Sequence, residues 1–268
     1  MSAQVKRDIL SEIVAHKRRE LAEQKARVPL ASLESKLAQS PAPRGFARAI
    51  EAAIATGRAA VIAELKRASP SRGVLREKYD PAAIAASYAT GGATCLSVLT
   101  DAKYFEGSAE HLIAARAAVS LPVLRKDFMV DPYQMVETRV MGADCILLIV
   151  ACLSDAELAA LARAARDLEL DVLLEVHNRE ELERAHLLRT PLIGINNRDL
   201  RTFTTDIETT LGLLPDVFPD RTVITESGID NQEQIRLLRS RGVNAFLIGE
   251  AFMSAADPGG KLRELFGK

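Results

Sequence analysis

Short apolar runs recur along the chain, and each has the length and composition of a buried β-strand. Eight of these runs read VIAELKR, CLSVLT, PVLRKDF, CILLIV, DVLLEV, LIGINN, TVITESG and AFLIGE, and they start at Val61, Cys95, Pro122, Cys145, Asp171, Leu192, Thr222 and Ala245. Successive starts lie 21 to 34 residues apart, which leaves room for one helix in each interval. The continuous apolar character of CILLIV indicates a parallel strand that is covered on both faces.

The intervals between these runs carry helical patterns with recognisable ends. In SDAELAALARAARDLEL, Ser154 and Glu157 have the spacing of a capping box. Asp80, which precedes a proline, predicts a second helix start. The segment DNQEQIRLLRSRG predicts a helix that is capped by Asp230 and stopped at Gly242.

Eight strands that alternate with helices favour an α/β fold, a (βα)8 TIM barrel in one domain spanning residues 1–268. A doubly wound open sheet is the alternative. Polar residues end most of the strands, however, which suits the mouth of a barrel better than a single crevice. Residues 1–56 precede the first strand and predict an N-terminal helical extension, with helices near residues 4–26 and 43–55.

Composition narrows the class of protein. The 35 lysines and arginines nearly balance the 36 aspartates and glutamates, so nothing indicates a general nucleic-acid or membrane surface. The three cysteines have no CxxC or metal-ligand spacing and indicate buried, reduced thiols. Because we find neither a signal-peptide core nor an apolar run long enough to span a bilayer, we predict a cytoplasmic protein.

Charged side chains interrupt the apolar strands near their carboxyl ends. Residues i and i+2 of a strand point to the same side, so Glu64 and Lys66 share one face of a strand that is otherwise core. Later strands end in further polar residues, namely Lys126, Glu175, Asn196, Glu226, Ser227 and Glu250. In a TIM barrel these ends meet at one mouth, where ammonium and carboxylate groups can be tuned for proton transfer. A structural ion-pair network is the alternative for any single pair.

Glycines after the last two strands predict a phosphate site. Gly228 in ITESG and Gly249 in LIGEA permit close approach of the backbone to an anion. The SPSRG loop, residues 69–73, adds hydroxyls and a cation and predicts a lid. Phe105 and Phe128 follow the second and third strands and are candidate walls for a planar ring. His177 is predicted to cap the helix after the fifth strand.

The segments IAELKRASPSRG, SVLTDAKYFEGS, PVLRKDF, GADCILLIV, LLEVH, IGINNRDL, ITESGI and LIGEAFM closely resemble the indole-3-glycerol phosphate synthase family of the tryptophan pathway. The similarity covers all eight strands, from about residue 45 to about residue 255. It implies a (βα)8 fold, no cofactor, and conversion of 1-(2-carboxyphenylamino)-1-deoxyribulose 5-phosphate into indole-3-glycerol phosphate with release of carbon dioxide and water.

The residue pattern and the resemblance together give two sets of site residues. The predicted catalytic residues are Glu64, Lys66, Lys126, Glu175, Asn196 and Ser227. The predicted substrate-binding residues are Arg67, Ser69, Phe105, Phe128, Arg198, Glu226, Gly228, Gly249 and Glu250. Many relatives have serine at position 250, so Glu250 is expected to turn its carboxylate away from the phosphate and offer its backbone N–H.

The resemblance implies a phosphorylated small molecule as the substrate, no nucleic-acid or membrane partner, and other tryptophan-pathway enzymes as candidate partners. Two other functions stay open. One is a Schiff-base lyase or aldolase that uses Lys66 or Lys126 as the nucleophile. The other is a non-catalytic barrel that binds a phosphosugar.

Overall fold

A computed structural model describes residues 9–199 and 202–267. Eight parallel strands pair in sequence order and close into a barrel, which confirms the predicted TIM barrel. The strands are Ala60–Leu65 (β1), Cys95–Leu99 (β2), Val123–Lys126 (β3), Cys145–Ile149 (β4), Asp171–Val176 (β5), Leu192–Asn196 (β6), Thr222–Glu226 (β7) and Ala245–Ile248 (β8). All eight apolar runs singled out in the sequence form these strands.

Helices surround the barrel and fill the intervals between the strands. They are Ile9–Arg27 (α1), Leu30–Glu34 (α2), Phe46–Ala55 (α3), Pro81–Gly91 (α4), Ala102–Phe105 (α5), Ala109–Ala118 (α6), Tyr133–Met141 (α7), Asp155–Asp167 (α8), Arg179–Ala185 (α9), Glu208–Leu213 (α10), Gln232–Ser240 (α11), Glu250–Met253 (α12) and Pro258–Phe266 (α13). Short 3₁₀ helices span Leu37–Gln39, Val150–Cys152 and Leu214–Asp216.

The helix ends follow the predicted capping chemistry for α8 and α4, whereas the caps of α9 and α11 differ from the predicted residues. Ser154 and Glu157 form the capping box of α8, and the Asp80 side chain accepts the first N–H groups of α4. The cap of α11 is Asn231, whose side chain accepts the N–H of Gln234, and not Asp230. Both residues are good caps by type, so composition alone did not choose between them.

The N-terminal extension contains more helical segments than the sequence indicated. The two predicted helices correspond to α1 and α3, but α2 and a 3₁₀ turn also lie between them. Residues 4–8 of the first predicted helix lie outside the described residues. The extra helix α2 was missed because five residues carry too short a hydrophobic pattern to be recognised.

The third helix closes the end of the barrel opposite the carboxyl ends of the strands. Phe46 and Ile50 of α3 are fully buried and pack in one cluster with inward-facing side chains of the strands. The backbone N–H of Ala47 donates to the carboxylate of Asp171 at 2.9 Å, and that of Arg44 donates to Asp144 at 2.7 Å. Two carboxylates at the amino ends of β4 and β5 therefore hold this segment in place.

The first helix reaches the other end of the barrel, and a buried lysine fixes it there. Lys17 is 5% exposed, and its Nζ lies 2.9 Å from Asp101 Oδ2 and 3.0 Å from Asp127 Oδ1. Asp101 and Asp127 follow the carboxyl ends of β2 and β3, so their ion pairs with Lys17 attach α1 to this end of the barrel. None of the described helices combines the length and apolar character that crossing a membrane requires.

Candidate active site

Two lysines and three glutamates converge at the carboxyl ends of the strands. Lys66 Nζ lies 2.6 Å from Glu64 Oε1. Lys126 Nζ lies 3.1 Å from Glu175 Oε2 and 3.7 Å from Glu226 Oε2. The three carboxylates are 1% to 4% exposed, which is unusual for glutamate unless it is paired. Glu64 and Lys66 lie on the same side at the carboxyl end of β1, as the alternation of side chains along a strand predicted.

Electrostatic pairing keeps most of this cluster charged. Burial opposes charge on Lys126, but Glu175, Glu226 and Glu64 raise the pKa of its ammonium above its ordinary value. Burial likewise opposes charge on Glu64, yet Lys66 and Lys126 lower the pKa of that carboxyl. The pKa of Glu175 is also held below its usual range, chiefly by Lys126, against the effect of burial. Lys126 therefore enters the site as a proton-bearing cation that faces two acids.

Glu226 differs from the other two glutamates. Burial and the nearby charge of Glu175 raise its pKa to about 8, although Lys126 acts in the opposite direction. Since Glu175 and Glu226 share one ammonium, one of them takes the charge and the other keeps a proton. A buried carboxyl that titrates near neutral pH is suited to giving or taking a proton.

Asn196 contacts this cluster from the end of β6, and Ser227 lines the same cavity after β7. The Asn196 amide donates to Glu175 Oε1 at 3.1 Å, and its Oδ1 accepts the backbone N–H of Arg198 at 3.0 Å. Ser227 has a left-handed φ of 64°, and Gly228 follows with φ 74°. This tight turn brings the Ser227 hydroxyl and the Gly228 backbone to the cavity.

Two glycines reserve space for the buried carboxylates of neighbouring strands. A Cβ on Gly249 would overlap Glu64 Oε1 and lie 3.0 Å from its Cδ. A Cβ on Gly194 of β6 would overlap Glu226 Oε1 in the same way. Gly249 thus has a packing reason to be glycine besides the anion approach that the sequence indicated.

Arginines and a glutamate form a second charged cluster on the side of β6 and β8. Glu250 Oε1 lies 2.6 Å from Arg72 Nη2, and its Oε2 lies 3.0 Å from Arg198 Nη2. Arg72 belongs to the loop between the two-residue strands Ala68–Ser69 and Gly73–Val74, which pair as a small hairpin. The carboxylate of Glu250 is therefore engaged by two cations from different loops.

Aromatic and aliphatic side chains form an apolar part of the cavity lining. The rings of Phe105 and Phe128 are 6.2 Å apart at an angle of 36°. Ile9, Leu10 and Ile13 of α1 line the same cavity. The chain has no tryptophan, and the helix contributes aliphatic side chains to this wall instead of an aromatic one.

These groups surround one cavity of about 770 Å³, a volume typical of small-molecule sites. The cavity is lined by fourteen of the predicted residues: Glu64, Lys66, Ser69, Phe105, Lys126, Phe128, Glu175, Asn196, Arg198, Glu226, Ser227, Gly228, Gly249 and Glu250. The fifteenth, Arg67, is not among the lining residues. Its Nε lies 3.1 Å from Glu106 Oε2, because it alternates with Lys66 and faces the segment after β2.

The structure adds lining residues that the sequence did not reveal as site residues. Phe203, Thr205 and the three aliphatic residues of α1 all reach the cavity, as does Arg72, the cation of the SPSRG loop that the sequence indicated. Phe203 lies in a segment with no periodic pattern, and α1 is far from β1 in the sequence, so neither gave a local signal. Within residues 9–199 and 202–267, no group of three or more histidine, cysteine or acidic side chains is arranged to hold a metal ion.

Solved structures with low sequence identity share the fold. The 3-hexulose-6-phosphate synthase from Salmonella typhimurium superposes with a TM-score of 0.62 at 14% identity, covering 77% of this chain and 96% of that one. The tryptophan synthase subunit alpha from Legionella pneumophila str. Paris gives a TM-score of 0.59 at 11% identity, covering 85% of this chain and 97% of that one.

Sequence comparison is more specific than the fold. Curated proteins named indole-3-glycerol phosphate synthase from two strains of Acidithiobacillus ferrooxidans are 59% identical over 259 residues, which cover 97% of this chain and 98% of theirs. The family described as indole-3-glycerol phosphate synthase matches residues 10–265. The chain therefore belongs to the indole-3-glycerol phosphate synthase family.

Proposed function

We propose that the cavity at the barrel mouth binds 1-(2-carboxyphenylamino)-1-deoxyribulose 5-phosphate and closes its indole ring with the residues described above. The activity is that of the family, indole-3-glycerol phosphate synthesis, a carboxy-lyase step of tryptophan biosynthesis. The observation that carries the residue assignment is the position of Lys126 between Glu175 and Glu226, with the Lys66–Glu64 pair in the same cavity.

Lys126 is the proposed acid of ring closure. The aromatic carbon that bears the carboxylate attacks the ketone of the open sugar chain, and the ketone oxygen needs a proton as it becomes anionic. A cationic lysine that faces two carboxylates can supply that proton. Glu175 holds Lys126 in place and stabilises the positive charge that develops on the arylamine nitrogen.

Loss of carbon dioxide and water completes the reaction. Decarboxylation restores part of the ring unsaturation, and the hydroxyl formed from the ketone must then leave as water. Lys66, held 2.6 Å from Glu64, is the proposed acid for that departure, and Glu64 or Glu175 is the proposed base. Asn196 and Ser227 orient these groups and the substrate.

The remaining cavity walls suit the two ends of the substrate. Ser69, Gly228, Gly249 and the backbone of Glu250 form the proposed phosphate site, which positions the reacting carbons from a distance. Arg198 is the proposed partner of the anthranilate carboxylate, and Phe105 and Phe128 are the proposed contacts of its ring. Glu226 is assigned to the substrate-binding set and, from its raised pKa, also as a proton carrier.

The charge on Lys126 argues against the Schiff-base alternative. A nucleophilic lysine must be a neutral amine, whereas the acids around Lys126 stabilise its ammonium form. A non-catalytic barrel would give no reason for burying three glutamates around two lysines. Borohydride treatment in the presence of substrate is expected to trap no adduct on Lys66 or Lys126.

Lys126→Met tests the proposed acid, because methionine keeps the length of the side chain and removes the ammonium. We expect kcat to fall about 10²–10⁴-fold with a much smaller change in product affinity. Indole fluorescence of the product is a direct readout in a chain without tryptophan. Lys36→Met, which changes an exposed lysine outside the cavity, is the control. Near-normal turnover in Lys126→Met would remove Lys126 from the acid role.

The proposal also includes the remaining predictions from the sequence. These are a cytoplasmic location, no cofactor, no nucleic-acid or membrane partner, and association with other enzymes of the tryptophan pathway. Cell fractionation checks the location, activity after exhaustive dialysis against a chelator checks the cofactor, and affinity purification from the source cells checks the partners.

A further inference from the structure

His177 lies directly behind the catalytic cluster and contacts it through Glu175. It follows β5 and precedes α9, and its side chain is 11% exposed. Its Nε2 lies 3.3 Å from Glu175 Oε1, and its Nδ1 lies 2.9 Å from Glu181 Oε2. The imidazole therefore sits between two carboxylates, one in the site and one outside it.

Glu181 lies in the first turn of α9 and is fixed by the two residues that precede the helix. Its Oε2 accepts the backbone N–H of His177 at 2.9 Å, and its Oε1 accepts the Asn178 amide at 2.7 Å. Asn178 in turn caps the helix by accepting the N–H of Glu181. The cap of α9 is thus Asn178 and not His177, whose ring instead contacts Glu181 through Nδ1 at 2.9 Å.

The carboxylates on both sides of the ring give His177 a different role. Glu226 keeps its proton, so Lys66 and Lys126 balance the charges of Glu64 and Glu175, and Glu181 adds one further carboxylate whose ion-pair partner is His177. Burial alone would lower the pKa of His177, but Glu175 and Glu181 raise it to about 10. A protonated His177 is therefore the cation that pairs with Glu181, and it also faces the Glu175 oxygen that Lys126 does not contact.

Each carboxylate oxygen of Glu175 has its own set of partners. Oε2 faces Lys126, while Oε1 faces both Asn196 and His177. Asn196 hydrogen-bonds this second oxygen and His177 lies within ion-pair distance of it, so both oxygens of Glu175 have partners. If the imidazolium were absent, Glu175 would lose one of its two cationic neighbours while the nearby acids Glu226 and Glu64 remained.

We propose that His177 is a positioning residue of the reaction, whose imidazolium is clamped by Glu181 and holds Glu175 anionic and aligned against Lys126. The expected effect on turnover rests on the proposed function. The charge state of His177 is independent of that function. Groups that act through a catalytic side chain commonly fix its orientation and tune its proton affinity.

Nuclear magnetic resonance tests the charge state without any activity measurement. The chain has four histidines, and the ¹⁵N shifts of the assigned His177 ring report its protonation. We expect His177 to remain an imidazolium at pH 8.5 in the free protein and to titrate at lower pH in Glu181→Gln. A His177 ring that titrates near pH 6.5 in the unmodified protein would overturn the proposal.

Kinetics test the positioning role. In His177→Gln we expect kcat to fall about 10- to 100-fold, because a contact to a charged group is lost, while KM changes far less. The pKa of Glu175 should rise, so the acid limb of the kcat profile should move up by about one pH unit. Glu181→Gln should shift the limb in the same direction, whereas Glu180→Gln, an exposed acid on the same helix turn, should not.

The possible results separate the two proposals. An inactive unmodified protein would refute the proposed function and leave the resonance experiment valid. Unchanged kcat and pH profile in both His177→Gln and Glu181→Gln would overturn the positioning role while the synthase activity stood. If His177→Gln does not fold, the Glu181→Gln profile and the resonance titration decide the question.

Discussion

Replacing Lys17 by methionine removes the cation that joins α1 to the barrel and leaves its acidic partners in place. Breaking a buried ion pair on one side costs about 3–5 kcal/mol, since the remaining charge stays buried. Asp127 keeps other partners, namely Arg125 Nη2 at 3.2 Å and the Thr100 hydroxyl at 2.6 Å. Asp101 is fully buried and keeps the backbone N–H of Tyr104, so most of the cost falls on this residue.

We therefore expect Lys17→Met to lose about 3 kcal/mol of unfolding free energy, the lower end of that range. For a chain of this size that loss corresponds to a fall in Tm of about 6–12 °C. The pKa of Lys17 is raised by its acidic neighbours and that of Asp127 is lowered, so the pair contributes fully at neutral pH. The difference between the two proteins should shrink below about pH 4, as Asp127 takes up a proton.

Urea unfolding and calorimetry at pH 7 measure the loss, and Arg18→Met is the matched control. Arg18 is the next residue of α1, and its half-exposed guanidinium lies 2.8 Å from Glu157, a surface pair of the kind that contributes about 0–1 kcal/mol. A Lys17→Met protein within about 1 kcal/mol of the control would refute the reasoning. One calorimetric transition would also support the single domain predicted for residues 1–268, whereas separate loss of amide protection in α1 would contradict it.

Two further predictions concern the buried glutamates. Gly249→Ala should lower kcat about 10- to 100-fold with little change in Tm, because the added Cβ forces Glu64 away from Lys66. The control is Gly212→Ala, where an added Cβ meets nothing within 4 Å. Equal kcat in the two variants would contradict the expectation. Glu226 has a folded-state pKa of about 8 against an ordinary 4.5, so its unfolded form releases a proton that the folded form keeps. The unmodified protein should therefore lose stability relative to Glu226→Gln as the pH rises from 4.5 to 8. Urea unfolding of both proteins measures this trend. A difference between their urea midpoints that is the same at both ends of this pH range would rule it out.

The barrel was predictable because each strand carried its own local signal. Runs such as CILLIV have no polar residue to place in water, and capping pairs such as Ser154 and Glu157 mark where the helices begin. The Glu64–Lys66 pair was predictable for a similar reason, since strand parity alone puts the two side chains on one side. The resemblance to the family then assigned roles that parity could not supply.

Other features depend on contacts between distant segments, and the sequence could not supply them. Lys17 reads as one more charge on a helix rich in lysine, arginine and glutamate, and its burial follows from where α1 docks. Arg67 was assigned to the cavity by its closeness to Lys66, although alternation sends it to Glu106. Gly194 gave no functional signal in the sequence. Glycine is needed there because the Glu226 side chain from the next strand occupies the space that a Cβ would fill.

The leading segment meets the barrel at both openings: α1 lines the catalytic mouth, and α3 seals the far end. A shortened chain that began at β1 would lose the packing of Phe46 and Ile50 against the core at the far end, and it would lose the aliphatic residues of α1 that line the catalytic cavity. Transfer of this catalytic site to another (βα)8 barrel therefore requires residues 9–55 as well, because they form one wall of the cavity and close the opposite end of the barrel.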